Sequence, residues 1–286
     1  MTAQELKNSI LQLAIQGKLV KQNPNDEPAS VLLEKIKEER EKLIKEKKIK
    51  REKYSKIYKD PSDNHYYEKF EDGTINDITE EIPFVIPDSW CWVRMKDLLS
   101  VKGGKRIPKG EKLLDIPTKH IYIRVTDMKN NTIDSSKIKY ISDEIYEQIK
   151  NYTISSNDLY LTIAGTIGSV GIIPKEFDNM NLTENAVKLC NLLINKKLLL
   201  YFIQSQFIQN QFVDKTNKVA QPKLAIVRIE STLIPLPPKS EQERIISKLV
   251  LLLQYIKIYS EKNKLIEELN SSYKEELKKS ILQYAI

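Results

Sequence analysis

Ile234-Pro-Leu-Pro-Pro-Lys-Ser-Glu-Gln-Glu-Arg-Ile245 divides this chain. Pro235, Pro237 and Pro238 lack N–H donors and fix φ, which bars helix upstream. Ser240-Glu241-Gln242-Glu243 has the hydroxyl and carboxylate spacing of a capping box, so the helix is expected to start there. No Gly or Pro interrupts the chain from that cap to Ile286. Apolar residues recur in steps of four and three: Ile245, Leu249, Leu252, Ile256, Tyr259, and further on Ile266, Tyr273 and Leu277. That is the roughly 3.5-residue period of a coiled-coil seam. Asn263 and Asn270 fall on the same seam, where a polar group sets register at a cost in stability. Glu275 and Lys279 form a favourable i,i+4 pair on the outer face. Such a helix is about 70 Å long. A chain this small cannot bury it, so Leu249, Leu252, Ile256, Tyr259, Ile266, Tyr273 and Leu277 are expected to face a partner helix.

Working outward, the end of that helix repeats the start of the chain. Glu276-Leu-Lys-Lys-Ser-Ile-Leu-Gln-Tyr-Ala-Ile286 matches Glu5-Leu-Lys-Asn-Ser-Ile-Leu-Gln-Leu-Ala-Ile15, differing only at Lys279/Asn8 and Tyr284/Leu13. Charge, amide and hydroxyl positions match as well as apolar ones, so the chain reads as one period of a longer cyclic pattern.

Thr2-Ala-Gln-Glu5 is a second capping box, which predicts a first helix ending near Gly17. After a polar break from Asn23 to Pro28, a second helix is expected from Ala29, apolar through Ile44 and charged to Lys59. The basic run Lys45 to Lys53 fits a solvated helix face or a phosphate-tracking arm. Asp60 to Glu81 reads as a polar loop.

From Ile82 the texture changes to short alternating runs. Strands are expected over 90–94, 121–125, 158–163, 170–173, 186–190 and 228–236, with helices over 95–99, 143–150 and 196–213. The expected fold is therefore α+β, in three parts. A helical N-terminal arm and polar loop occupy 1–82, a mixed α/β domain 83–237, and the long helix 238–286.

The 46 Lys and Arg against 39 Asp and Glu, a net +7, are compatible with nucleic acid without requiring it. Cys91 and Cys190 have neither metal nor disulfide spacing, and no signal peptide or long apolar run is present, so a cytoplasmic location is expected. No methyltransferase tetrapeptide, complete phosphate loop or nuclease metal pattern appears; Leu236-Pro-Pro-Lys239 lacks the polar start and the aromatic. His65 and His120 do not suggest a pair. A binding chain without catalytic or metal-ligating residues is expected.

Four stretches carry binding chemistry. Lys102, Lys105, Arg106 and Lys109 flank Gly103-Gly104, where free N–H groups and cations suit phosphate or guanine edges, or a solvated turn. Arg124 and Thr126 end a strand and suit base edges, unless Arg124 pairs with Asp127. Thr166 lies in the small-residue loop Thr162–Ser169, open to close backbone approach or a tight hairpin. Lys218, Gln221 and Lys223 precede the last strand, and Asn185 and Gln221 have amides able to pair with adenine.

In order, Ile86-Pro-Asp-Ser-Trp-Cys-Trp92, Tyr122-Ile-Arg-Val-Thr-Asp127, Ala164-Gly-Thr-Ile-Gly168, Asn185-Ala-Val187, Ala220-Gln-Pro-Lys-Leu224 and the Pro-Leu-Pro-Pro passage resemble the specificity (S) subunit of type I restriction–modification systems. The resemblance covers essentially the whole chain, but the family carries two target recognition domains and two long helices where this chain has one of each. It implies a non-catalytic double-stranded-DNA reader in half-subunit form, which two copies would complete as a homodimer. It also implies methyltransferase (M) subunits supplying S-adenosylmethionine, and restriction (R) subunits using ATP and Mg, with no cofactor in this chain and no membrane. An RNA-binding or coiled-coil scaffold protein and a cryptic enzyme are the competing expectations.

Overall fold

Thr2 caps the first helix as its sequence predicts. In the computed structural model, which describes residues 1–51, 54–213 and 223–284, helix α1 spans Ala3–Ile15. The Glu5 N–H donates to Thr2 Oγ1 at 3.2 Å and the Thr2 N–H to the Glu5 carboxylate at 2.7 Å. Gly17 ends the helix at φ +71°, with Lys18 N–H on Leu13 O at 2.9 Å and Gly17 N–H on Ala14 O at 3.1 Å. A Cβ at Gly17 would lie 2.5 Å from Pro87 Cγ, so the glycine also lets that loop close in.

Helix α2 runs Ala29–Lys45 and stops there, not at Lys59. Lys47 turns left-handed at φ 56°, and Lys48 N–H reaches Leu43 O at 2.9 Å. Beyond it the apolar period changes from helical to alternating, and the region expected to be helix end and polar loop is a three-stranded meander. Strands β1 (Ser55–Lys59), β2 (Tyr66–Phe70) and β3 (Ile75–Asp77) pair antiparallel in that order. Cross-strand pairing with Tyr66–Phe70 gives Ile57 and Tyr58 partners that no single helix offers. Glu68 anchors the meander to the body: Arg94 Nη2 donates to it at 2.6 Å and Ser55 Oγ at 2.6 Å, while Arg94 Nη1 donates to Glu81 at 2.8 Å.

The body has two four-stranded sheets. Strands β4 (Cys91–Arg94), β5 (Ser100–Gly103), β6 (Ile121–Ile123), β7 (Met128–Lys129), β8 (Thr132–Ile133) and β9 (Lys139–Tyr140) come first, with helix α3 (Met95–Leu98) after β4. Helix α4 (Asp143–Ile149) leads to β10 (Thr153–Ile154), β11 (Leu159–Thr162), β12 (Val170–Ile172), β13 (Met180–Leu182) and β14 (Ala186–Cys190). One sheet has the order β12-β11-β14-β5, all antiparallel; the other is β10-β13-β6-β9, with β13 and β6 parallel. Both faces of β11 are buried. Leu159 and Leu161 join the main core, and Tyr160 joins a second core with Ile123, Ile154 and Leu182 between the sheets. On the far face of the second sheet Tyr122 packs with Ile145 and Ile149 of α4.

The 196–213 stretch is two helices, α5 (Lys196–Ile203) and α6 (Gln206–Phe212), because Ser205 breaks the run and caps the second. The 228–236 stretch is also divided: α7 is Ile226–Ser231 and only β15, Leu233–Leu236, is strand, paired with β4. Short strands 100–103, 128–129, 132–133, 139–140, 153–154 and 180–182 were not expected.

Helix α8 spans Lys239–Tyr284, 46 residues. It starts before the expected cap: Gln242 N–H reaches Pro238 O at 3.0 Å, and the Glu243 carboxylate accepts from Asn195 Nδ2 at 2.9 Å instead of closing a box with Ser240. Glu241 and Gln242 of this first turn face inward, while Lys239, Ser240 and Glu243 stay exposed. Glu241 accepts from Trp90 Nε1 at 2.9 Å and Gln22 Nε2 at 2.6 Å, and burial raises its carboxyl above the ordinary value. Ile245 and Leu249 are fully buried with Leu11, Ala14 and Ile15 of α1 in the main core. Leu249 is therefore a core residue of its own chain and not part of a free seam. The same packing puts α1 beside the start of α8. The parts 1–82, 83–237 and 238–286 all contribute to this one core.

Candidate nucleic-acid interface

Strands β6 and β13 run parallel, so their C-terminal ends lie at one edge, and the chain after each carries polar residues. Arg124 to Asp127 follows β6; Thr183, Glu184 and Asn185 follow β13. The Gly103–Arg106 segment crosses the same edge. Gly104 N–H donates to Ala186 O at 3.1 Å and Lys105 N–H to Leu182 O at 2.9 Å. A Cβ on Gly104 would sit 2.1 Å from Thr183 O, so only glycine permits this crossing. The glycine predicted to free N–H groups for a ligand spends its own on the next strand.

Glu184 organises the edge. Arg106 Nε donates to its carboxylate at 2.6 Å, Thr183 Oγ1 at 3.0 Å and Tyr122 Oη at 3.3 Å, while Lys223 Nζ donates to its backbone carbonyl at 2.9 Å. Partial burial works to raise the Glu184 carboxyl, but the Arg106 and Thr183 hydrogen bonds outweigh it and leave it below the ordinary value. Burial, reinforced by that carboxylate, pushes the Tyr122 phenol up to about 12. Arg106 remains 76% exposed despite its partner.

Lys105 lies 5.5 Å from the centroid of the Tyr152 ring, a cation–π contact. Lys102, Lys105 and Lys109 are exposed, and none pairs with a carboxylate among the described residues. Lys102 stands opposite Lys188 on β14, whose ammonium donates to Thr153 O at 2.5 Å. Asn185 is half-buried; its carbonyl accepts the Ile163 and Ala164 N–H groups at 2.9 and 3.2 Å, holding the 163–168 loop on which Thr166 is exposed. Leu224 N–H reaches Ile163 O at 2.8 Å, which brings Lys223 to the same place. Lys105, Arg106, Thr166, Asn185 and Lys223 thus converge on one edge. Lys218 and Gln221 lie outside the described residues.

Arg124 is different. Its Nε and Nη2 grip both Asp127 oxygens at 3.0 and 2.6 Å, and Nη2 also donates to Lys137 O at 2.6 Å. Of the two readings from sequence, the internal ion pair is what forms. Thr126 is exposed beside it, on a cleft of about 660 Å³. Lys129 pairs with Asp134 at 2.9 Å and Lys139 with Asp115 in that cleft, so its cations are largely neutralised within the chain. Sequence reasoning missed Glu184 and Tyr122, because each works through partners distant in the chain and neither sits in a charged run.

His120 stacks on Tyr146 at 3.8 Å and contacts Asp143, and His65 contacts Asp77. The two histidines serve separate local contacts. No helix among the described residues is long and apolar enough to cross a membrane.

Comparison with known proteins adds the following. The family described as Type I restriction modification DNA specificity domain matches residues 87–270. The Type I restriction enzyme EcoAI specificity subunit of Escherichia coli is 31% identical over 255 residues, 87% of this chain and 39% of that protein. The EcoEI specificity subunit of the same organism is 26% identical over 257 residues, again 87% and 39%. The chain thus spans about two fifths of the length of these relatives. Among solved structures, a chain from a study of assembly and conformational transition of the type I R-M system aligns at TM-score 0.55 and 15% identity, over 67% of this chain and 45% of that one, a likeness of fold. The HsdS subunit from Thermoanaerobacter tengcongensis aligns at TM-score 0.47 and 16% identity, over 62% and 40%.

Proposed function

Because this chain belongs to the type I restriction modification DNA specificity family, we propose that it reads one half of a split duplex-DNA target and catalyses nothing itself. The observation that carries this reading is the convergence of Lys105, Arg106, Thr166, Asn185 and Lys223 at the ends of β6 and β13. Cations exposed at such an edge neutralise phosphates, and neighbouring amide and hydroxyl groups suit base edges. Glu184 holds the Arg106 guanidinium in place before binding, and a phosphate oxygen then shares or replaces that carboxylate.

Two copies pair through α8, antiparallel, and read a symmetric split site. A rod of about 70 Å separates the two heads by one or more turns of about 34–36 Å each. Methyltransferase subunits bring S-adenosylmethionine to the complex, and restriction subunits bring ATP and Mg chemistry. The exposed apolar stripe of α8 supports the pairing, since Tyr255, Ile266, Leu269 and Tyr273 are bare in the single chain.

The test is selection from a random duplex pool, then titration of the winner against salt. A Lys105→Ala/Arg106→Ala variant should bind more weakly at every sequence and lower the slope of log K against log salt by about 2. Unchanged binding removes this edge from the interface. Light scattering tests the pairing separately, and a strict monomer at micromolar concentration overturns it.

A further inference from the structure

The sequence repeated at the two ends of the chain has opposite environments in its two copies, as far as residue 283. In α1, Leu11, Ala14 and Ile15 are fully buried against the main core, and Leu6, Lys7 and Ile10 are half-buried. The corresponding residues of the second copy, in order, are Leu282, Ala285, Ile286, Leu277, Lys278 and Ile281, all identical. One of the two differences, Leu13 against Tyr284, falls where α1 faces solvent. Yet Leu282 is 66% exposed, Ile281 59% and Leu277 47%. At the described positions of that face, the side chains that α1 buries or half-buries are bare in the second copy, at Leu277, Ile281 and Leu282.

The direction of α1 matters. Tyr259 Oη donates to Met1 O at 3.2 Å, and Gln22, just past α1, donates to Glu241 at 2.6 Å. Helix α1 therefore runs antiparallel to the first half of α8. In an antiparallel pair of α8 helices, the tip of one copy passes the first half of the other in that same direction. It arrives with the same side chains at the place where α1 already sits.

We propose that residues 276–286 of one copy take the seat filled by α1 in the other, so that pairing displaces α1. The occupant is a second copy of this chain, since the sequence that fits the seat is its own. The proposal rests on the homodimer reading above. It makes α1 a placeholder that covers Ile245 and Leu249 until a partner tip replaces it.

Amide hydrogen exchange of the full chain, below and above the concentration at which light scattering shows dimer, tests this. Exchange at Leu11 to Ile15 should speed up at least ten-fold in the dimer. In Leu282→Asp, which alters an exposed position and leaves the monomer folded, the dimer should weaken and that concentration dependence should vanish. A dimer whose α1 amides stay as protected as in the monomer overturns the exchange of seats and leaves the homodimer standing. So does fast α1 exchange in monomeric Leu282→Asp. Absence of any dimer in the unaltered chain overturns both.

Discussion

The first three turns of α8 and the remainder share a helix, a period and a composition, but differ in energetics. Ile245 and Leu249 are at 0% exposure, locked between α1 and the helices of the body. Leu265, Leu269 and Tyr273, with the same kind of side chain, are more than half exposed. Burial stabilises by roughly 25 cal/mol per Å² of apolar surface, so the first segment holds the domain together. The second contributes little to its own fold and leaves its apolar area bare in the single chain. A hydrophobic period shows that a face will be covered, not by what.

Leu249→Ala should lose about 2–5 kcal/mol in chemical denaturation, as a fully buried leucine leaves a cavity. Leu269→Ala should stay within about 0.5 kcal/mol in the monomer. Equal losses at both positions break the contrast between the two segments.

The next effect separates the body from the rod by pH. Burial pushes the Asp97 carboxyl up to about 6, while Arg94 N–H donates to it at 3.1 Å. The folded protein keeps this proton longer than the unfolded chain does. Stability from this group is thus complete below the unfolded value near 3.8 and is lost as pH rises to about 6. The loss is on the order of 2–3 kcal/mol. Asp97→Asn should remove that part of the pH dependence from melts of the body and leave the helicity of the bare segment unaltered. A variant whose melting follows the wild-type pH curve refutes the assignment.

The smallest effect is on the rod. Lys257–Glu261 and Lys264–Glu268 are exposed i,i+4 pairs at 3.9 and 3.8 Å. Replacing either glutamate by glutamine should cost only a few tenths of a kcal/mol, fading in high salt. A larger loss that depends on protein concentration would place these pairs at an intermolecular contact.

Much of the fold was legible where local chemistry dictates it. Thr2 and Gly17 bound α1 because capping hydroxyls and left-handed glycines act over a few residues. The runs at 121–125, 158–163 and 186–190 announced strands by alternation. The meander at 55–77 was missed because its pairing, not its propensity, makes it sheet; charged Ser55–Lys59 becomes a strand against Tyr66–Phe70. Among site residues, the cations and Asn185 were visible as residue types. Glu184 was not, since its partner Arg106 is 78 residues away in sequence.

By itself the sequence determined the long helix, the α+β body, the end-to-end repeat and the family, because capping, periodicity and motif order are written over short distances. Only the tertiary structure decided that Glu241 and Gln242 turn inward as a joint, and that Gly104 serves a backbone crossing. It also decided that Leu249 belongs to the core and Leu282 does not. Those outcomes depend on which surfaces meet, and meeting surfaces are set by packing across the chain rather than by any residue's neighbours along it.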